Sequence, residues 1–147
     1  MKPKILIIGS TGKLGVKLLS FCFKNNISIS AISCYSNVKK IILQKEKNNI
    51  KDTFVLSNSN SNIKFCHYLK KNKFKIIYFL DYGSYSLKYL EIILNNNRNS
   101  YISIANKEMI VAGGTYLRKS IKSSNNYLIP IDSEHFSLIN NDLNQNN

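Results

Sequence analysis

Cysteine and long apolar runs are scarce in this chain, and each shortage excludes a class of protein. The 147 residues contain three cysteines, at 22, 34 and 66, and none forms a C-x-x-C pair. Neither a disulfide framework nor a cysteine zinc site is therefore indicated, and reduced thiols in a cytoplasmic compartment are expected. No apolar run approaches the about 20 residues that span a bilayer, so we expect no membrane partner.

Acidic residues are also few. Eight carboxylates face 21 lysines and arginines, which gives a formal net charge of +13. Such a balance is typical of nucleic-acid-binding proteins. Here, however, the lysines are scattered along the whole chain, and no aromatic-interleaved binding motif accompanies the densest basic points, 39–40 and 70–75. We therefore expect solvated helix faces and no nucleic-acid partner.

Glycine occurs six times, and three of the six lie in the stretch G-S-T-G-K-L-G at 9–15. This stretch follows an apolar run and opens an amphipathic segment, so it predicts a strand, a tight turn and a helix. Gly9 would allow the sharp exit from the strand, Gly12 the close approach of a phosphate, and Gly15 the packing of the helix on the sheet. The helix amino end would attract an anion. The stretch predicts a dinucleotide pyrophosphate site, and a glycine turn that binds nothing is the alternative.

Short apolar segments alternate with amphipathic ones along the chain. The predicted strands cover 5–8, 27–34, 53–56, 75–80 and 101–105. The predicted helices cover 16–23, 38–47, 63–71 and 87–94, and the run 57–62 is predicted to be a loop that caps the third helix. This alternation predicts an α/β fold: a Rossmann-like, doubly wound, mainly parallel sheet with helices on both faces. Asp81-Tyr82-Gly83 and Asn106 follow strands at the edge where such sheets bind ligands.

The segment after the second strand bears on the choice of cofactor. An acidic residue there would bind the ribose hydroxyls of NAD. The sequence instead runs S-C-Y-S-N-V-K-K from 33 to 40, and its first carboxylate is Glu46. Small polar groups followed by Lys39 and Lys40 favour NADP over NAD, with two exposed first-turn lysines as the alternative reading.

Two carboxylates stand close together near the end of the chain. Asp132 and Glu134 flank Ser133 after a predicted strand, so their oxygens could converge on one hard cation such as Mg²⁺ or Mn²⁺. Carboxylates without neighbouring cysteine disfavour zinc. A helix cap with an acidic first turn is the alternative.

Four segments in this order closely resemble 1-deoxy-D-xylulose 5-phosphate reductoisomerase. They are the glycine turn, I-A-N-K-E-M-I-V at 104–111, A-G-G at 112–114 and I-P-I-D-S-E-H at 129–135. The resemblance covers essentially the whole chain but only the N-terminal part of that family's length. It implies an NADPH-binding Rossmann-like domain over 1–127 and the start of a metal- and substrate-binding catalytic region at 128–147.

The resemblance also implies roles for individual residues. NADPH would be contacted by Thr11, Gly12, Lys13, Leu14, Asn37, Asn106 and Glu108. The sugar phosphate substrate would be contacted by Lys107, Ser133 and Glu134. The metal, Mg²⁺ or Mn²⁺, would be held by Asp132 and Glu134. Lys107 and Glu134 would be catalytic, and Lys107 makes physical sense as the electrostatic partner of a developing oxyanion.

The family is an NADPH- and divalent-metal-dependent oxidoreductase of the non-mevalonate isoprenoid pathway. The implied reaction converts 1-deoxy-D-xylulose 5-phosphate to 2-C-methyl-D-erythritol 4-phosphate, in an enzyme whose complete form can be a homodimer. The family's third metal carboxylate, its substrate-phosphate residues and its lid fall beyond residue 147, so we expect no turnover by this chain alone.

Two segments depart from the family pattern. Lys13 stands where the family usually has serine or another small residue, and Tyr35-Ser36 replaces a glycine followed by lysine or serine. Two alternative functions stay open. One is a non-catalytic NADP-binding remnant, and the other is a different two-domain NADP-dependent dehydrogenase, which would lack the A-N-K-E and D-S-E-H segments.

Overall fold

The structure is a computed structural model that describes residues 2–131, and its sheet is wholly parallel. The strands are β1 Ile5–Ile8, β2 Ala31–Cys34, β3 Asp52–Val55, β4 Ile76–Phe79, β5 Tyr101–Ile104 and β6 Tyr127–Pro130. Their spatial order is β3-β2-β1-β4-β5-β6. Because the order reverses between β1 and β4, the crevice for a ligand lies above the carboxyl ends of these two strands.

Helices cover both faces of the sheet, as predicted. They are α1 Lys13–Lys24, α2 Val38–Lys47, α3 Ser59–Lys71, α4 Leu87–Asn96 and α5 Lys107–Ser123. Side chains along β1 alternate between two cores: Leu6 and Ile8 pack with α3, α4 and α5, whereas Ile5 and Ile7 pack with α1 and α2. In the described part of the chain, no helix has the length and apolarity to cross a bilayer.

The predicted loop at 57–62 is wrong for its last four residues. Helix α3 begins at Ser59, and the Asn58 side chain caps it by accepting a 2.9 Å hydrogen bond from the backbone N–H of Ser61. The Ser61 hydroxyl accepts another from the backbone of Val55 at 2.8 Å. The low-complexity run therefore supplies the first turn of a helix, because serine and asparagine satisfy donors at a helix start.

Two further elements differ from the sequence prediction. β2 begins at Ala31, because Ile27 donates its backbone N–H to the Cys22 carbonyl at 2.8 Å and so closes α1 instead of extending a strand. Helix α5 was not predicted. It bends at Gly114, whose φ of 50° and ψ of −138° are not helical, and the paired glycines concealed its periodicity.

Asparagine, not glycine, occupies the left-handed backbone positions that follow four helices. Asn26, Asn49, Asn99 and Asn125 have φ between 51° and 56° and follow α1, α2, α4 and α5 in that order. Asparagine tolerates this conformation better than other residues with a Cβ. The helices therefore end without drawing on the few glycines of the chain.

Candidate dinucleotide-binding site

The glycine turn joins β1 to α1 at the point where the strand order reverses. The backbone N–H groups of Gly9 and Ser10 both donate to the Ser33 carbonyl, at 3.0 and 2.9 Å, so the turn is anchored on β2. Within residues 2–131, no group accepts a hydrogen bond from the backbone N–H of Thr11 or Gly12. These donors and the amino end of α1 are therefore available to an anion.

The three glycines of the turn have different reasons to lack a side chain. A Cβ at Gly9, where φ is 89°, would come within 2.5 Å of the Asp81 backbone nitrogen, and one at Gly15 would overlap the Ser10 carbonyl. The fold itself requires both. A Cβ at Gly12 would meet nothing closer than the Gly9 carbonyl at 3.9 Å. The space beside Gly12 is open, which fits the pyrophosphate of a dinucleotide approaching the backbone there.

Ser10 is fully buried and fastens the turn to α2. Its hydroxyl donates to the Gln44 side-chain oxygen at 2.8 Å, and the Gln44 amide donates to the Ser10 carbonyl at 2.8 Å. Sequence reasoning missed this pair, since the two residues are 34 positions apart and no local pattern connects them.

A cleft of about 720 Å³, the β2-side cleft, opens on the β2 side of the glycine turn. It is lined by Gly9, Thr11, Gly12, Tyr35, Leu56, Ser57, Asn62, Leu80, Asp81, Tyr82, Gly83, Tyr85 and Lys88. Tyr35, at the end of β2, is 59% exposed and its ring centroid lies 5.6 Å from that of Tyr85. The sequence singled out Tyr35, but nothing in it indicated Tyr85 or Lys88.

A second cleft of about 490 Å³, the β5-side cleft, lies on the β5 side of the turn. Its lining is Lys13, Leu14, Lys17, Leu80, Asp81, Tyr82, Ala105, Asn106, Lys107 and Glu108. Leu80, Asp81 and Tyr82 border both clefts, so the two are adjacent. The residues predicted from two separate segments of the sequence, 13–14 and 106–108, thus meet in one place.

Asn106 holds the connection after β4 against the start of α5. Its side-chain oxygen caps α5 by accepting from the backbone of Met109 at 3.1 Å. Its amide donates to the Gly83 carbonyl at 2.7 Å and to the Asp81 carboxyl at 3.4 Å. Because α5 begins at Lys107, this cap fixes where the exposed Lys107 and Glu108 emerge.

Asp81 is a buried carboxyl at the wall shared by the two clefts. The Ser86 hydroxyl donates to it. Loss of hydration on burial raises the pKa of Asp81 above the ordinary value of 3.8, although hydrogen bonds from Ser86, Asn106 and Tyr85 partly oppose the shift. The sequence placed Asp81 at a strand end, but its burial depends on packing that no local pattern shows.

Asn37 lines neither cleft. It is exposed and caps α2, accepting a 3.1 Å hydrogen bond from the backbone N–H of Lys40. Lys39 and Lys40 are exposed in the first turn of α2. The NADPH contacts of these residues stay predictions.

Asp132, Ser133 and Glu134 lie outside the described residues, and so does the second predicted region beyond residue 131. Among residues 2–131, no three histidine, cysteine or acidic side chains are grouped closely enough to hold a metal ion. Of the residues predicted to contact the substrate or the metal, the described part of the chain therefore contains Lys107.

Comparison with known proteins finds relatives but no matching family model. The 1-deoxy-D-xylulose 5-phosphate reductoisomerase of Pelagibacter ubique is 31% identical over 160 residues, covering 92% of this chain and 39% of the relative. That of Malacoplasma penetrans is 30% identical over 139 residues, covering 93% and 36%. The chain thus spans less than two fifths of the length of these two curated relatives.

Solved structures show the same fold. The reductoisomerase of Zymomonas mobilis in complex with NADPH superposes with a TM-score of 0.75 at 19% identity, covering 92% of this chain and 40% of that one. A DOX-P reductoisomerase in complex with NADPH, fosmidomycin and magnesium gives a TM-score of 0.73 at 21% identity, covering 90% and 37%. The predicted α/β, Rossmann-like fold is confirmed.

Proposed function

Because this chain belongs to the 1-deoxy-D-xylulose 5-phosphate reductoisomerase family, of which it spans an N-terminal portion, we propose that it is the NADPH-binding part of such an enzyme. The complete enzyme would convert 1-deoxy-D-xylulose 5-phosphate to 2-C-methyl-D-erythritol 4-phosphate. It would isomerise the substrate at a divalent metal and then reduce the resulting aldehyde.

The open space at Gly12, which lines the larger of two adjacent clefts, is the observation that carries this proposal. A dinucleotide has a pyrophosphate in its middle and a flat ring at each end. The pyrophosphate would lie against Thr11 and Gly12, whose backbone N–H groups have no acceptor among residues 2–131. A Cβ at Gly12 would meet nothing closer than 3.9 Å, so the phosphate has room there. Each cleft would then receive one half of NADPH.

The nicotinamide half belongs in the cleft that Lys107 borders. Residue 131 lies at the same edge of the sheet, since its backbone N–H donates to the Ile104 carbonyl at 3.1 Å. The bound cofactor would supply a hydride there. Lys13, Leu14, Asn106 and Glu108 would position the ring, and the Lys107 ammonium would stabilise negative charge developing on the substrate oxygen.

The metal would be held by Asp132 and Glu134, and the substrate by Lys107, Ser133 and Glu134. The donor set is all oxygen, which suits Mg²⁺ or Mn²⁺ better than zinc. Asn37 would contact the adenosine half from the start of α2. We also propose that the complete enzyme is cytoplasmic and a homodimer. Cys22, Cys34 and Cys66 are free thiols, which accords with a reducing compartment.

A direct titration tests the cofactor assignment. The 147-residue chain should bind NADPH more tightly than NADH by ~1–2 kcal/mol, on the scale of one charge-assisted hydrogen bond to the 2′-phosphate. Isothermal titration calorimetry with both cofactors measures the difference. Lys39→Ala and Lys40→Ala should reduce it if either lysine reaches that phosphate, and Lys45→Ala, an exposed lysine later in α2, is the matched control. Equal dissociation constants for the two cofactors would contradict the NADP preference.

A second candidate is a nucleotide-binding remnant without catalytic function. The two candidates predict the same binding and differ in what happens when the remainder of a family member is supplied.

A further inference from the structure

Two tyrosines form an aromatic wall in the β2-side cleft. Tyr35 comes from the end of β2, and Tyr85 from the connection between β4 and α4. Their ring centroids are 5.6 Å apart and their planes are inclined by 53°. Tyr85 is held from behind by the fully buried Tyr89, whose ring meets it edge-on at 6.3 Å. The wall is therefore supported by the core, while Tyr35 keeps 59% of its surface exposed.

The remaining surroundings suit a flat, weakly polar ring. Leu56 and Leu80 supply apolar surface, while Ser57 and Asn62 place polar groups beside them. Lys88 lies at the same cleft, with its Nζ 5.0 Å from the centre of the Tyr89 ring. Aromatic rings with a few polar groups nearby are typical of sites that hold nucleobases by stacking.

Resting on the proposed function, we infer that Tyr35 and Tyr85 receive the adenine ring of NADPH by stacking. Binding of the adenosine half then depends on an aromatic ring at position 35. The pyrophosphate at Gly12 places the middle of the dinucleotide. Its direction follows from Lys107, which borders the other cleft and so assigns that cleft to the nicotinamide half. Adenine is the other flat ring of the dinucleotide, and it is left for the cleft that Tyr35 and Tyr85 line.

The test compares ligands that carry one half of the cofactor. Titration calorimetry of the 147-residue chain is performed with NADPH, with adenosine 2′,5′-bisphosphate and with reduced nicotinamide mononucleotide. Tyr35→Ala should weaken the first two by roughly tenfold, the low end of what base stacking on an aromatic side chain contributes. It should leave the mononucleotide unchanged. Tyr35→Phe should restore binding to within about twofold, since stacking needs the ring and not the hydroxyl.

Tyr116→Ala is the matched control, because Tyr116 is 71% exposed on α5 and lines neither cleft. Unchanged NADPH binding by Tyr35→Ala would overturn the inference and leave the proposed function standing. Tighter binding by Tyr35→Ala would also overturn it, because the ring would then obstruct the cleft. A chain that binds no NADPH at all would overturn the proposed function and this inference with it.

Discussion

Ser10 and Gln44 exchange two hydrogen bonds of 2.8 Å each, one from the serine hydroxyl and one from the glutamine amide. The pair ties the turn beneath the candidate pyrophosphate site to the helix that follows β2. Ser10 has no exposed surface, whereas Gln44 is half-buried.

Gln44→Ala should therefore lower the free energy of unfolding by ~1–3 kcal/mol, because the buried Ser10 hydroxyl and carbonyl lose their partners. NADPH affinity should fall as well, since the turn loses its attachment to α2. Urea unfolding and a cofactor titration measure the two effects. Lys45→Ala is the control, because Lys45 is the next residue of the same helix and is exposed. Its free energy of unfolding should stay within about 0.5 kcal/mol of that of the parent. A Gln44→Ala protein as stable as that control would show that the pair contributes nothing.

Gly12→Val should abolish NADPH binding and leave the fold largely intact. The valine side chain would begin in open space beside the turn, where the pyrophosphate is expected, because its Cβ would meet nothing closer than the Gly9 carbonyl at 3.9 Å. Gly15→Ala should do the reverse and destabilise the fold, since its Cβ overlaps the Ser10 carbonyl. Circular dichroism melts with cofactor titrations separate the two outcomes. Normal NADPH binding by Gly12→Val would mean that the turn is purely structural.

Asp81 should make the stability of the chain depend on pH in a direction opposite to that of most carboxylates. Its pKa is raised in the folded state, so its protonated form favours folding at low pH, and this stabilisation is lost as pH rises through the raised value. Asp81→Asn cannot ionise. The melting temperature of the variant minus that of the parent should therefore increase from about pH 4 upward, until Asp81 in the parent is ionised.

Melting curves over a pH series check this prediction. Any constant loss from the altered hydrogen bonds to Ser86 and Asn106 cancels when one pH is compared with another. A difference that does not change with pH would show that burial of Asp81 leaves its pKa where it is in the unfolded chain.

Residues 1–147 alone should oxidise no NADPH with 1-deoxy-D-xylulose 5-phosphate and Mg²⁺ or Mn²⁺. Asp132 and Glu134 offer two carboxylates, whereas Mg²⁺ and Ca²⁺ sites take about six oxygen ligands. Supplying the remaining portion of a family member should restore activity, and Asp132→Asn in the restored protein should remove it. NADPH absorbance in steady-state assays gives the readout. Metal-dependent turnover by the chain alone would show that residues 1–147 already contain the catalytic residues. Absence of activity in the restored protein would favour the non-catalytic remnant.

The sheet and its turn could be predicted because their signals are local. Apolar runs of four residues mark β1 and β4, and shorter or interrupted apolar stretches between amphipathic segments mark the other strands of the parallel sheet. The start of α3 was misplaced because serine and asparagine are common both in loops and in first helical turns. Helix α5 escaped because Gly113 and Gly114 resemble a turn, and the structure shows a bend within a helix instead.

The candidate site was predictable only where a motif carries it. Thr11, Gly12, Lys13 and Leu14 follow from the glycine turn, and Asn106 to Glu108 from a segment that the resemblance identified. Asp81 was placed at the ligand-binding edge by its position after β4, although its burial was not predicted. Gln44 and Tyr85 belong to the site through tertiary packing, which brings together residues that no spacing relates. Asp132 and Glu134 stay predictions.

The asparagines at four helix ends bear on which substitutions this chain can accept over evolutionary time. Asn26, Asn49, Asn99 and Asn125 hold a positive φ that glycine adopts with less strain, so glycine and asparagine should exchange there freely among relatives. Gly9 and Gly15 have no such freedom, because any side chain would meet backbone. A drift in composition toward asparagine can therefore rewrite the helix ends and leave the nucleotide turn untouched. A protein can in this way diverge widely from its relatives while its glycine turn keeps its sequence.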